Sequence, residues 1–280
     1  MTLQPLQDDG LHTPSVGVWA LRKYELLGYY ASLFASSMAG KWDERVYVDL
    51  FAGAGRARIK HSPNIIPTSP SISLDVSAPF DKYIFCDVDT HCLGALKKRV
   101  ARDFPGRRVA FVPGDCNANV PRILSESPRY SKGHTVLTFS FVDPFRLSSL
   151  RFTTLSALAA RFTDFLVLIP AYMDARRNLS VYLEESTKVV DLFLGLPDWR
   201  DRWRVAQPAR GNFGAFVADQ FGMQMRSLGY RYSGLQDTVL VKYPPKNVSL
   251  YRLAFFSHSE LGQRFWTQAM QYTQQQLSLF

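Results

Sequence analysis

Cysteine is scarce in this chain of 280 residues: Cys86, Cys92 and Cys116 are its three, and no two of them stand as a CxxC pair. That excludes a disulfide framework and the common zinc ribbons, and it fits a reducing, cytoplasmic setting. The histidines His12, His61, His91, His134 and His258 are scattered without HxxH or HExxH spacing, so no metal site is expected from them. Neither a GxSxG elbow nor a P-loop lysine pattern occurs. The longest apolar run, Phe165 to Pro170, is far too short for a membrane span. The first residues are acidic in part and lack an apolar core, unlike a signal peptide. Repeats and low-complexity tracts are absent as well.

What is present is an ordinary globular composition, 46% hydrophobic and 20% charged, enough to bury a sizeable core in one large domain. Lys and Arg number 33 against 24 Asp and Glu, a net charge of +9, and 23 of those cations are arginine. Guanidinium forks suit phosphate and carboxylate, so the balance points to an anionic partner such as nucleic acid, or else to a solvated basic surface.

Residues 1–14 read as a loose tail, and Trp19, Leu26, Tyr30, Leu33 and Phe34 recur with helical spacing up to Gly40. Then short, continuously apolar runs alternate with helical stretches. The runs are Val46–Phe51, Tyr83–Asp87, Val109–Val112, Val136–Val142 and Phe165–Ile169. Helices are expected over 90–104 and 148–162, with a long Pro- and Ser-rich loop at 57–82 that holds a short helix near Ile72. Two helices, 178–195 and 211–228, follow. A hairpin of Thr238–Tyr243 and Leu250–Ser257 turns at Pro244-Pro245-Lys246-Asn247, and a last helix covers 259–276. Buried strands alternating with helices imply a doubly wound α/β fold. It would be a seven-stranded, Rossmann-like methyltransferase sheet with a late antiparallel hairpin and a helical insertion. The chain then divides into a tail and leading helix (1–45), a cofactor-binding core (46–170), the insertion (171–235), and the hairpin with its helix (236–280).

Polar residues collect at the strand ends, where such sheets bind ligands. Asp49 closes the first strand and opens Phe51-Ala52-Gly53-Ala54-Gly55. Two glycines allow a tight turn and close approach to a ligand, but Arg58 stands where a dinucleotide fingerprint has its third glycine. GxG without that glycine suits a nucleoside cofactor lacking a pyrophosphate. S-adenosylmethionine is one, and Asp49 can meet its cationic methionine end. Asp87, followed by Val88, can accept both ribose hydroxyls, and Asp115 with Cys116 stands where an adenine would be read. Each of these acids would serve equally well as a turn or cap residue. The fourth strand ends in Asp143-Pro144-Phe145. There a carboxylate and a proline-fixed carbonyl can hold an acceptor amine with its lone pair toward a methyl group, while Phe145 stacks on the base. Lys23 on the leading helix can close over the cofactor. Arg56, Arg58 and Lys60 are the cations best placed for an anionic substrate, whereas Lys97-Lys98-Arg99-Arg102 reads as a solvated helix face. Trp199 and Trp203 read as core. Asp49, Asp87 and Asp143 could instead converge on a magnesium ion.

Taken together, Val16-Gly17-Val18-Trp19 with Lys23-Tyr24, Tyr47 to Gly55, Ser69-Pro70, Phe141 to Phe145 and Tyr251 to His258 resemble the three-Cys-motif partner family of bacterial proteins. The resemblance covers roughly residues 16–270. It implies a methyltransferase-like fold and a partner protein encoded alongside, whose cysteine-rich motif resembles radical-SAM-type iron–sulfur binding. The chain departs from the family's pattern at Thr68, where the family usually has glycine before Ser-Pro, and at Arg146, where glycine usually follows the aromatic. It also lacks the second proline of amino-directed nucleic-acid methyltransferases. Two readings result: methylation of an amino group on a nucleic acid or other anionic substrate, or a non-catalytic binding module serving the partner, with phage defence as one setting for it.

Overall fold

The computed structural model describes residues 3–210, 212–243 and 246–277. In chain order the elements are β1 (Ser15–Val16), α1 (Ala20–Met38), β2 (Glu44–Asp49), β3 (Arg56–Ile59), β4 (Ile65–Pro67), α2 (Ser69–Leu74), β5 (Lys82–Asp87), α3 (Thr90–Asp103) and β6 (Val109–Pro113). There follow α4 (Val120–Glu126), β7 (Val136–Val142), α5 (Phe152–Ala159), β8 (Thr163–Ile169), α6 (Ala171–Leu183), α7 (Val189–Leu194), α8 (Trp199–Arg210) and α9 (Phe213–Ser227). The last are β9 (Thr238–Tyr243), β10 (Val248–Phe256) and α10 (Glu260–Leu277).

Seven strands form one sheet in the order β6-β5-β2-β7-β8-β10-β9. The pairs from β6 to β8 are all parallel, and β10 runs antiparallel to both β8 and β9. This is the expected α/β class with its late hairpin. The turn expected at Pro244 and Pro245 lies outside the described residues. Side chains alternate along each strand. Val46 and Val48 face a core with α5, α7, α8 and α9, and Tyr47 faces the opposite core with α1, α2, α3 and α10. Trp199 and Trp203 are buried in the first of these, as expected. The second is dense in rings, with Phe139 within 5.0 to 5.7 Å of Tyr30, Phe34 and Tyr47.

Where the sequence and the structure differ, a side chain from far along the chain is the cause. The helix expected over 148–162 starts only at Phe152. Asn117 accepts from the Arg151 N–H and the Thr154 hydroxyl and donates to the Ser149 carbonyl, tying an extended stretch in place before the helix. The helix expected over 178–195 divides into α6 and α7. Arg200, buried, donates to the carbonyls of Tyr182, Glu184 and Thr187 and so satisfies the end of α6. The loop expected at 57–82 carries the β3–β4 hairpin, which pairs with β1 as a second, three-stranded sheet.

The tail is not loose over its described part. Arg99, 1% exposed, ion-pairs with Asp9 and donates to the carbonyls of Leu11, His12 and Ala54 and to the Thr13 hydroxyl. Leu6 donates to the Ile65 carbonyl, and Asp8 pairs with Arg58. Residues 6–13 thus strap α3 and the small sheet to the glycine turn. The solvated face expected over Lys97-Lys98-Arg99-Arg102 holds for exposed Lys97 and Lys98 but not for Arg99.

Asp164, at the far end of β8, is buried beneath α1 and α10. Burial raises its carboxyl to about 7 against the pull of the Ser257 and Tyr30 hydroxyls. A carboxyl raised in the folded state favours folding while protonated and loses that contribution as pH climbs through its folded value. Asp164→Asn is therefore expected to flatten the fall in stability between about pH 4 and pH 7 by up to about 1.4 kcal/mol per pH unit, measured by urea unfolding. An unchanged slope would contradict it.

Candidate functional site

Strand order reverses on either side of β2, and a doubly wound sheet opens its crevice beyond such a point. The ends of β2, β5 and β7 meet there. From Asp49 the chain threads between its neighbours: Leu50 donates to the Phe141 carbonyl and Ala52 to the Cys86 carbonyl. Gly53 and Gly55 both take positive φ, +63° and +79°, but for different reasons. A Cβ on Gly55 would lie 2.8 Å from Leu96 Cδ1, so packing demands glycine. A Cβ on Gly53 would meet nothing within 4 Å. Its amide donates to Asp87 Oδ2 at 2.6 Å, so the second strand end holds the loop of the first. Ala52 and Ala54 are buried beneath this turn and Phe51 is half-buried.

Asp49 is 0% exposed. Its Oδ1 accepts the Phe51 N–H, while Oδ2 makes no close hydrogen bond among the described residues, the Ser69 and Tyr47 hydroxyls lying near the carboxyl. Burial pushes its carboxyl up to about 7; the nearby Ser69 hydroxyl and the Phe51 amide pull it down, and the charges of Asp143 and Asp87 push it further up. Ser140, paired with Val48 across β2 and β7, also has an unpartnered buried hydroxyl. An orphaned acceptor next to an open glycine is the arrangement a ligand ammonium would complete.

Asp87 accepts backbone N–H groups on both oxygens, from Gly53 and Asp89, and each oxygen keeps a second lone pair for a hydroxyl donor. Burial raises its carboxyl against those two amides. Val88 beside it is 72% exposed. Asp115 is exposed and its Oδ1 accepts twice from Asn117, so it organises its own turn and leaves Oδ2 outward. Cys116 is buried. Burial pushes the thiols of Cys86 and Cys116 upward, Cys86 to about 12, so neither is a ready nucleophile.

Lys23 does not stand free over the glycine turn. Its ammonium is ion-paired with Asp143 Oδ2 in a nearly buried contact. Burial alone would lower the ammonium's affinity for its proton, but the charges of Asp143, Tyr24 and Tyr251 more than offset this, and its direction is upward. Pro144 is buried, whereas Phe145 is 82% exposed with Arg146 against its ring. Tyr24 and Tyr251, named in the sequence as motif residues and not as site residues, complete the surroundings of this pair. Arg56 and Arg58, expected to meet substrate, are taken by Asp9, Asp103 and Asp8. Lys60 has no ion pair among the described residues.

The magnesium arrangement is not formed. Among the described residues, the group of three possible ligand side chains within 4.8 Å of one another is His12, Asp89 and Cys92, not the three strand-end carboxylates. Asp89 there caps α3 by accepting from the His91 and Cys92 amides.

A mostly parallel, doubly wound sheet with acidic strand ends around a glycine turn is the class that fold and site define. The chain matches no family model and no curated protein. Among solved structures it is similar to a Legionella pneumophila protein of the DUF519 family, with 11% identity, TM-score 0.48, and coverage of 84% of this chain and 85% of that one. It is similar to Trm1 from Pyrococcus horikoshii, solved with S-adenosyl-L-methionine, with 11% identity, TM-score 0.41, and coverage of 87% and 58%. It is also similar to cofactor-bound Rv0187 from MTB, with 10% identity, TM-score 0.43, and coverage of 83% and 80%. Among the described residues no helix is long and apolar enough to cross a membrane.

Proposed function

We propose that the chain is a methyltransferase that uses S-adenosylmethionine to methylate an amino group of a nucleic acid or other anionic substrate. The buried, half-satisfied carboxylate of Asp49 beside the open Gly53 carries this reading. Asp49 would take the cofactor's ammonium, the Gly53–Gly55 turn its methionine backbone, Asp87 its ribose, and the Asp115-Cys116 turn its adenine. The bound cofactor supplies an electrophilic methyl group. Lys23 is paired with one Asp143 oxygen, and the remaining Asp143 oxygen can accept from the incoming amine, with exposed Phe145 as a stacking surface. No strong base is needed, since the amine attacks through its own lone pair and loses its proton afterwards.

S-adenosylhomocysteine retains the ammonium and ribose, so calorimetry with it tests the site. Asp49 must be ionised to pair with an ammonium, and its carboxyl sits at about 7. Affinity is therefore expected to rise about tenfold from pH 6 to pH 8 and level off above. No heat at either pH would overturn the reading.

One observation favours a second reading. Lys23 already holds one of the two Asp143 oxygens in a nearly buried pair, which suits a methyltransferase-like module that binds cofactor without turnover, alongside the cysteine-motif partner. Methyl transfer from labelled cofactor to a nucleic-acid pool by the chain alone decides against the module. Co-purification with a partner encoded alongside, without transfer, decides for it.

A further inference from the structure

A cleft of about 690 Å³ is lined by Gly17, Val18 and Trp19 before α1, Lys60 and His61 at the tip of β3, Tyr172 after β8, and Tyr243 with Val248 to Leu250 from the late hairpin. Its link to the Lys23–Asp143 pair runs through Trp19. Lys23 lies one helical turn on from Trp19, and the Tyr251 hydroxyl donates to the Trp19 carbonyl at 3.1 Å.

Three features give the cleft a chemistry. Its rings are Trp19, Tyr172 and Tyr243, and Trp19 meets Tyr243 edge-on with centroids 5.6 Å apart. A Cβ on Gly17 would come within 2.3 Å of the Trp19 indole, so glycine there lets the ring lie flat against the backbone. The cation is Lys60, exposed and without an ion pair among the described residues, whereas Arg56 and Arg58 of the same strand are neutralised by the tail. His61 beside it holds φ +62°, a left-handed conformation ordinarily left to glycine or asparagine, and such outliers gather at ligand clamps. The described lining residues include no carboxylate.

We propose that this cleft receives one nucleotide of a single-stranded nucleic acid, its base against the Trp19, Tyr172 and Tyr243 rings and its phosphate on Lys60 and His61. The inference rests on the methyltransferase reading, since it gives that reading's nucleic-acid substrate a binding place at the start of the helix that carries Lys23. Aromatic stacking with a nearby cation is how single strands are held without duplex geometry.

The test is fluorescence anisotropy with a labelled, mixed-sequence RNA decamer at low salt, with S-adenosylhomocysteine calorimetry run on the same variants. Lys60→Ala with His61→Ala, and separately Trp19→Ala, are expected to weaken decamer binding about tenfold each while leaving homocysteine-analogue binding intact. Lys97→Ala with Lys98→Ala, on the outer face of α3, is expected to change it less than twofold. Equal losses from the Lys97/Lys98 variant would overturn the proposal by showing generic charge attraction. So would competition by a duplex of the same sequence, or by free AMP, at the decamer's own concentration. A decamer that fails to bind a protein that does bind S-adenosylhomocysteine sinks the cleft and leaves the cofactor site standing.

Discussion

Asp49→Asn is expected to weaken S-adenosylhomocysteine binding at least a hundredfold at pH 8 while leaving the melting temperature unchanged or higher. The two effects have one cause. Asp49 is wholly buried, one of its oxygens has no close hydrogen bond among the described residues, and its carboxyl is raised to about 7, so at neutral pH the fold carries a carboxyl it only partly stabilises. Asparagine keeps the shape and the Oδ1 contact to Phe51 and removes the charge. A charged hydrogen bond formed in a dry site contributes about 3 kcal/mol, and a hundredfold in affinity is about 2.7 kcal/mol. Stability held back at a ligand-binding residue is the usual trade between fold and function. The variant should also lose the rise in affinity between pH 6 and 8. Binding within threefold of the native chain, with that rise preserved, would show that the ammonium is held elsewhere.

The contrast between Asp49 and Asp115 shows what the sequence could and could not disclose. One closes a strand and the other stands two residues past the end of one, and both read as ligand carboxylates. One is buried with an oxygen to spare, and the other is an exposed turn residue occupied by Asn117 two places on. Strand-end position follows from hydrophobic runs, which are local. Whether an oxygen is already satisfied depends on what the fold brings near it. The same holds for the glycines: Gly53 and Gly55 are equivalent in the motif, yet Leu96 and Ser71 crowd one and nothing crowds the other. Sheet class, the late hairpin and the central strands could be read because each strand is apolar over its whole length. The β3–β4 hairpin could not, because its partner β1 lies forty residues upstream in a stretch with no strand pattern of its own. The four helices between β8 and β9 blur into two because long-range caps such as Arg200 have no local signature. The alternation of paired and unpaired cations, Arg56 and Arg58 against Lys60, is a property of the tail's acids and not of β3.

Arg99 is where that tail bears hardest on the site. Its guanidinium, 1% exposed, serves Asp9, the carbonyls of Leu11, His12 and Ala54, and the Thr13 hydroxyl. Arg102 and Arg56 add to the hold on Asp9. Hydrogen bonding from Arg99 outweighs burial and keeps the Asp9 carboxyl well below its ordinary range. A depressed carboxyl stabilises the fold above the ordinary aspartate range and loses that contribution as pH falls below it, so the strap should keep its charge in acid after ordinary carboxylates have protonated. Arg99→Ala leaves a nearly buried Asp9 charge and three carbonyls short of a donor, and such a break costs about 3–5 kcal/mol. Arg99→Lys should recover little of it, because one ammonium cannot reach five acceptors spread around a planar fork. The loss should be read by urea unfolding. A double-mutant cycle with Asp9→Asn is expected to fall short of the sum of the two single losses, since both remove the same pair. Ala54 lies inside the glycine turn, so limited proteolysis of the folded variant should cut within residues 6–13, and its S-adenosylhomocysteine affinity should fall even under conditions where it remains folded. A variant that loses less than 1 kcal/mol, or that loses stability while binding normally, would separate the strap from the glycine turn.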